Sequence, residues 1–287
     1  MVQGADPVTG RLRVAFTHIS RRLWAGGYNY QRNLFAALDR HCPGQVTPVL
    51  FAGERDDADE VTALSSIPAV EIVRSVAFDR SSLGVAVTLA TGLDGAAAAA
   101  FAANRIDVVF ESARFFGRRL RVPALAWIPD LQHRRLPKMF SPAARWRREI
   151  GFRMQIASGR HVVLSSESAA RDCRAYYPEL GDRASVVRFA SQPEAALLAA
   201  DPVAVVSHYG LPRDYFYLPN QFYRHKNHQV VVDALAILKA RGGMIGCWNV
   251  GRYSIPLRRS ARKPHMQNGW HFAMQGNRKR RDMSPRA

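Results

Sequence analysis

The chain has 287 residues, 47% of them hydrophobic, so it can bury a sizeable core as one large domain or two smaller ones. The net charge is +18, and residues 243–287 hold half of it, with ten Lys or Arg against one acid, Asp282. The basic body suits anionic small molecules, phosphates or an anionic membrane surface as well as nucleic acid, and three scattered cysteines (Cys42, Cys173, Cys247) without CxxC or Cys/His spacing exclude a thiolate metal site and read as reduced thiols in a cytosolic protein.

The opening MVQGADPVTG lacks a basic segment followed by an apolar one and predicts no signal peptide. RLRVAFTHI (11–19) reads as a strand, and YNYQRNLFAALDR (28–40) as a helix with Tyr30, Leu34 and Leu38 on one face. VTPVLFA (46–52) and VEIVRSV (70–76) are strands. LGVAVTLATGLDGAAAAAFAA (83–103) is the most membrane-like stretch, but Asp94 and two glycines in its middle predict a small-residue helix packed inside a domain. IDVVFES (106–112) and RVPALAWIPD (121–130) follow, then a helix over 142–158 and the strand HVVLSS (161–166). SESAARDCRAYYP begins with a serine cap and stops at Pro178, and SVVRFAS (185–191) is the last strand of this half.

Strands separated by helices argue for βαβ units and a mostly parallel sheet, so residues 1–195 read as one Rossmann-like domain. Residues 196–214 read as a connection with a short helix. The pattern restarts at 215, with DYFYLPNQF as a strand and HQVVVDALAILKARG as a helix, and it stops at 242. Residues 243–287 show no sustained period and read as an irregular basic tail.

Three places carry chemistry. Gly26-Gly27, between the first strand and first helix, permit close backbone approach and form either a phosphate site or a plain tight turn. Asp130 and His133 in IPDLQH lie just past an apolar strand, where open α/β sheets bind ligands; they either hold sugar hydroxyls and move protons or simply cap and solvate a loop. Arg224 and Lys226, before the helix at 228, make an anion site suited to a diphosphate or a solvated basic turn.

GGYNYQRNLFAAL, IPDLQHRRLPKMFS and YFYLPNQFYRHKNHQVVVDALAIL, in that order and spacing, resemble the GT-B glycosyltransferases of family 4, over about residues 11–242. The resemblance implies an α/β fold of GT-B type: one complete Rossmann-like N-terminal domain on the acceptor side, plus the first βα unit of a donor-binding Rossmann-like domain. It implies a retaining hexosyl transfer from a nucleotide diphosphate sugar to a polysaccharide or lipid-linked acceptor, in the cytoplasm or at the inner face of its membrane, without metal or other cofactor. Gly26 and Gly27 then approach the donor phosphates with Arg224 and Lys226, and Lys226 neutralises the diphosphate. Asp130 and His133 face the transferred sugar or the acceptor as catalytic residues. Peripheral contact with an anionic membrane fits this class and the basic body.

The chain departs from the family in three ways. Gln221 stands where many members have an arginine five residues before the clamp lysine. No pair of glutamates seven residues apart follows residue 215, the last glutamate being Glu194, and the Gly-rich loop that accompanies that pair is missing. These departures predict that residues after about 243 are not family sequence, as a frameshift would produce, and leave open whether this shortened form is active or inactive. The alternative function is a non-catalytic binder of anionic surfaces or nucleic acid through the basic tail, although no RNP, helix-turn-helix or zinc-finger pattern for specific nucleic-acid recognition is present.

Overall fold

A computed structural model describes residues 10–79, 82–112, 114–193, 195–211, 215–218, 226–242 and 246–249. The chain divides into two compact units, one ending at Gln192 and the other beginning at Pro193.

The first unit is built on seven strands: β1 (Leu12–Thr17), β2 (Val46–Ala52), β3 (Glu71–Arg74), β4 (Val108–Glu111), β5 (Ala124–Ile128), β6 (His161–Leu164) and β7 (Ala184–Val186). They form one sheet in the order β3-β2-β1-β4-β5-β6-β7, and every pairing is parallel. This is the doubly wound Rossmann order, in which the chain reverses its direction of travel between β1 and β4. Pro48, which has no N–H to give, pairs with Val14 one residue before β3 begins opposite Val49.

The helices are α1 (Ala25–His41), α2 (Ala58–Ser65), α3 (Ser82–Thr91), α4 (Gly95–Ala103), α5 (Gln132–Arg135), α6 (Pro142–Ala157) and α7 (Glu167–Tyr176). Side-chain caps start most of them. Asp57 accepts from the amides of Asp59 and Glu60, Asp94 from Ala97, Ser141 from Ala144 and Ser166 from Ala169. The serine-capped helix ends at Tyr176, two residues before Pro178, as the sequence predicts.

Alternation along the strands divides the core. Phe16, Leu50, Phe110, Trp127 and Val163 point to one face and pack with Tyr28, Tyr30 and Phe35 of α1 and Leu64 of α2. On the other face, Ala15, Val49, Phe51 and Val109 meet Ala97 and Phe101 of α4 together with Phe78 and Phe116. Further along that face, Ala126, Ile128, Val162 and Leu164 meet Ile156 of α6 and Ala169, Ala170 and Cys173 of α7. Both faces of the parallel sheet are therefore covered. Each large side chain fully buried among these, such as Phe51, Ile156 or Leu164, stabilises the fold by about 2 kcal/mol.

The structure differs from the sequence reading at several places: α5 is not foreseen, the strand read over 185–191 is only Ala184–Val186, and the connection holds two short helices where one was read. Helix α1 begins at Ala25, so Gly26 and Gly27 form its first turn instead of preceding it. Helix α2 has no counterpart in the sequence reading. The stretch 83–103 is two helices bent by 89°; the second packs inside, while Val85, Val87 and Leu89 of the first are exposed. The break lies at Gly92, whose φ of 78° no other residue type adopts easily, and at Asp94, which caps α4. Among the described residues no single helix is long and apolar enough to cross a membrane.

The second unit contains α8 (Ala195–Ala199), α9 (Pro202–His208), β8 (Tyr215–Leu218), α10 (His228–Ala240) and β9 (Gly246–Asn249). β8 and β9 pair in parallel from Tyr215↔Gly246 to Leu218↔Asn249. A further difference is here: β9 lies in the segment the sequence reads as an irregular tail.

Candidate functional site at the carboxyl edge of the sheet

In doubly wound sheets ligands bind beyond the carboxyl ends of the strands, beside the reversal point. Here that point is flanked by the segments leaving β1 and β4. After β1 the chain is held by Gln31 of α1, whose buried side chain donates to Thr17 O (2.9 Å) and accepts from Ile19 N (3.4 Å). This tie fixes the turn that leads to Trp24 and the glycine pair.

Trp24 folds back over α1. A Cβ at position 27 would lie 2.3 Å from Trp24 Cε3, so Gly27 provides the space for the indole. Gly26 is exposed, and no side chain caps the helix at Trp24. Trp24 stacks on Trp127 of β5 with ring centroids 5.4 Å apart, and Tyr30 stacks on the same indole at 4.0 Å. Trp127 Nε1 donates to Ser165 Oγ (2.9 Å) at the end of β6. The β1–α1 turn and the ends of β5 and β6 are thus joined by an aromatic layer along one edge.

Asp130 lies two residues beyond β5 and is half-exposed. It accepts from Gln132 N (3.1 Å) at the start of α5, and Arg148 Nη1 of α6 lies 3.4 Å away. His133 is buried on α5, with Nε2 donating to Glu149 Oε2 (3.2 Å) and its ring edge-on to Phe152. Burial holds the imidazole below its usual pKa, against the opposing effect of its hydrogen bond to Glu149. Glu149 also accepts from Arg134, Arg153 and Tyr177. Burial works against the charged carboxylate, but these donors outweigh it and hold the pKa at about 2.

Two residues at the reversal point were not singled out from the sequence. His18, just past β1, is buried with Nδ1 3.2 Å from Asp56 Oδ2 and Nε2 3.5 Å from Glu60 Oε2, distances without hydrogen-bond alignment. Ser112, just past β4, has a buried hydroxyl with no partner among the described residues. Beneath them Glu111 is fully buried; it accepts from Phe116 N (3.1 Å), and Arg160 Nε lies 3.4 Å away. In the sequence only VVFES marks this place, and its strand pattern does not distinguish the buried carboxylate from an exposed one.

Lys226 belongs to the second unit, where it is exposed two residues before α10. Asn227 between them is left-handed (φ 49°), and its side chain does not cap the helix. Arg224 and Gln221 lie outside the described residues. Among the described residues no group of three or more His, Cys, Asp or Glu is arranged to hold a metal ion.

No protein-family model matches the chain, and no curated protein sequence matches it. Among solved structures, a point mutant of the O-GlcNAc transferase of Thermobaculum terrenum aligns with 15% identity and a TM-score of 0.42, over 84% of this chain. The chain spans 39% of that protein's length.

Proposed function

We propose that the chain is a glycosyltransferase that moves a sugar from a nucleotide diphosphate sugar to a saccharide or lipid-linked acceptor, with retention at the anomeric carbon. The observation that best supports this is the succession of two α/β units. A complete doubly wound unit is followed by β8, α10 and a parallel β9, and the junction between β8 and α10 carries the basic sequence that resembles the family.

Under this reading the transferred sugar meets the carboxyl edge of the first unit. Asp130 is half-exposed there and binds sugar hydroxyls. His133, beneath it, holds the Asp130 loop onto α6 through Glu149. The first turn of α1, with exposed Gly26 above Gly27, offers amides to the donor phosphates. Lys226 and Arg224 balance the charge of the departing diphosphate, together with the uncapped amides of α10. Stabilising the leaving group in this way assigns no step to a metal.

Isothermal titration of the full chain against a panel of nucleotide diphosphate sugars tests the proposal. The expected result is saturable binding that Lys226→Ala weakens about tenfold, the worth of one charge-assisted contact to phosphate. No binding by any donor would overturn it. The alternative, a tail-driven anion binder, predicts instead that affinity for polyanions falls steeply with salt and disappears when residues 243–287 are removed.

A further inference from the structure

A groove of about 490 Å³, within the size range of small-molecule sites, is lined by α5 and one stripe of α6. Pro142, Trp146, Glu149 and Arg153 follow one another along that stripe at helical spacing, with Arg145 beside them, and α5 contributes His133 and Arg134. A stripe that packed into a core would be apolar and covered. This one is charged, and Trp146, the bulkiest apolar side chain of α6, is 68% exposed within it.

The groove is positive. Its lining holds the guanidinium groups of Arg134, Arg145 and Arg153 against a single carboxylate, Glu149. His133 adds no charge at neutral pH, because burial lowers its pKa. Both oxygens of Glu149 are taken. Oε1 accepts from Arg134 and Arg153, and Oε2 from His133, Arg134 and Tyr177. The carboxylate therefore holds its neighbours in place and has no further acceptor site to offer. Arg153 Nη1 also lies 3.9 Å from Glu179. Arg145 is exposed, and among the described residues it pairs with no carboxylate.

We propose that this groove binds a pyranose carrying an anionic group, a carboxylate or a phosphate, with the sugar ring on the Trp146 indole and the anion on Arg145. The C–H bonds on one face of a pyranose are weakly positive and pack on the electron-rich face of an indole. A guanidinium presents paired N–H donors that match two oxygens of a carboxylate or phosphate, and the surplus positive charge of the lining favours the same group. A second copy of the chain fits less well, because a symmetric contact through this groove brings guanidinium groups against guanidinium groups. Helix α5 starts where Asp130 accepts from Gln132 N, so the groove adjoins the carboxylate assigned above to sugar hydroxyls. Its use as an acceptor subsite, one that selects a charged acceptor sugar, rests on the transferase reading; the binding itself does not.

Titration of the full chain, followed by the NMR amide shifts of α5 and α6, tests it with four probes: methyl glucuronide, glucose 6-phosphate, methyl glucoside and uridine diphosphate. No sugar donor is present, so a failure of donor binding and a failure of this site are read separately. At least one charged sugar is expected to bind saturably and roughly tenfold more tightly than the neutral glucoside. Whichever charged sugar binds more tightly names the anion. Arg145→Gln is expected to abolish that tenfold preference, while Trp146→Ala weakens charged and neutral sugars alike, by about fivefold. Both side chains are exposed, and the comparison of charged with neutral sugar needs no variant. Five outcomes overturn the proposal. They are no shift with any sugar, equal affinity for the glucoside, and a preference that survives Arg145→Gln. The fourth is tighter binding of uridine diphosphate than of either charged sugar, which makes the groove a nucleotide site. The fifth is a dimer that Trp146→Ala converts to monomer, which places a second copy there.

Discussion

The indole of Trp24 fills the volume that a side chain at Gly27 would need, with 2.3 Å between Trp24 Cε3 and the position of such a Cβ. A substitution that normally strengthens a helix is therefore expected to weaken this one. Gly27→Ala gains up to about 1 kcal/mol of helix propensity, but overpacking costs about 1–3 kcal/mol, for a net loss of about 1 kcal/mol. Urea denaturation measures it. In a Trp24→Ala background the same change is expected to become neutral or stabilising, and an unchanged penalty there would remove Trp24 as the cause.

Glu149 gathers α5, α6 and the end of α7 through His133, Arg134, Arg153 and Tyr177. Its folded pKa of about 2 lies below the ordinary carboxylate value of 4.5. A depressed acid contributes stability above its unfolded pKa and loses it as pH falls through the folded one. Glu149→Gln is therefore expected to cost about 1–2 kcal/mol near neutral pH after allowance for solvent screening. In denaturation curves from pH 7 downwards, the gap between parent and variant is expected to close between about pH 4.5 and 2. A gap independent of pH would mean that shape, not charge, is what Glu149 contributes.

Glu111 and Arg160 form a buried pair under the end of β4, and Arg160 also donates to Gly117 O at 2.8 Å. Burial raises the Glu111 pKa, with Arg160 as the leading opposing influence. Arg160→Met leaves the carboxylate without its cation and is expected to destabilise the unit by about 3–5 kcal/mol at neutral pH. With its folded pKa raised, Glu111 penalises folding while it stays charged in the unfolded chain. The penalty is expected to shrink as pH falls towards the unfolded value. Thermal melting of the variant across that range checks the sign.

Among the described residues the β8–β9 pair is a two-stranded sheet, a size that is only marginally stable alone. Exposed Phe216 and Tyr217 on β8 indicate little cover. Amide exchange at 215–218 and 246–249 is expected to be faster than at the equivalent positions of β2, whose residues Val49 to Ala52 are wholly buried. Equal protection in the two sheets would show that the second unit is as stable as the first.

The strand-and-helix alternation was legible because it rests on local periodicity. VTPVLFA, HVVLSS and the serine-capped helix at 167 stand where the sequence puts them, since an apolar run between turn residues has few other uses. The parallel seven-stranded sheet follows from that alternation and from the rule that parallel strands need crossover connections. The site was less legible. Gly26-Gly27 read as a phosphate site or a tight turn ahead of the first helix, but the packing of Trp24 requires glycine at 27, and the pair lies inside α1. His133 reads the same whether it is solvated or buried, and only the arrival of Glu149 from another helix, sixteen residues on, buries and pairs it.

By itself the sequence determined the number and type of most elements of the first unit and the basic character of the chain, both properties of neighbouring residues. Only the tertiary structure decided which of two similar apolar stretches is covered. Residues 83–103 have nearly uniform composition, but Gly92 and Asp94 break them at 89°, sending Ala97 and Phe101 into the core and leaving Val85, Val87 and Leu89 outside. It alone gave β9 a partner as well, because a four-residue strand is specified less by its own side chains than by the hydrogen bonds β8 offers it.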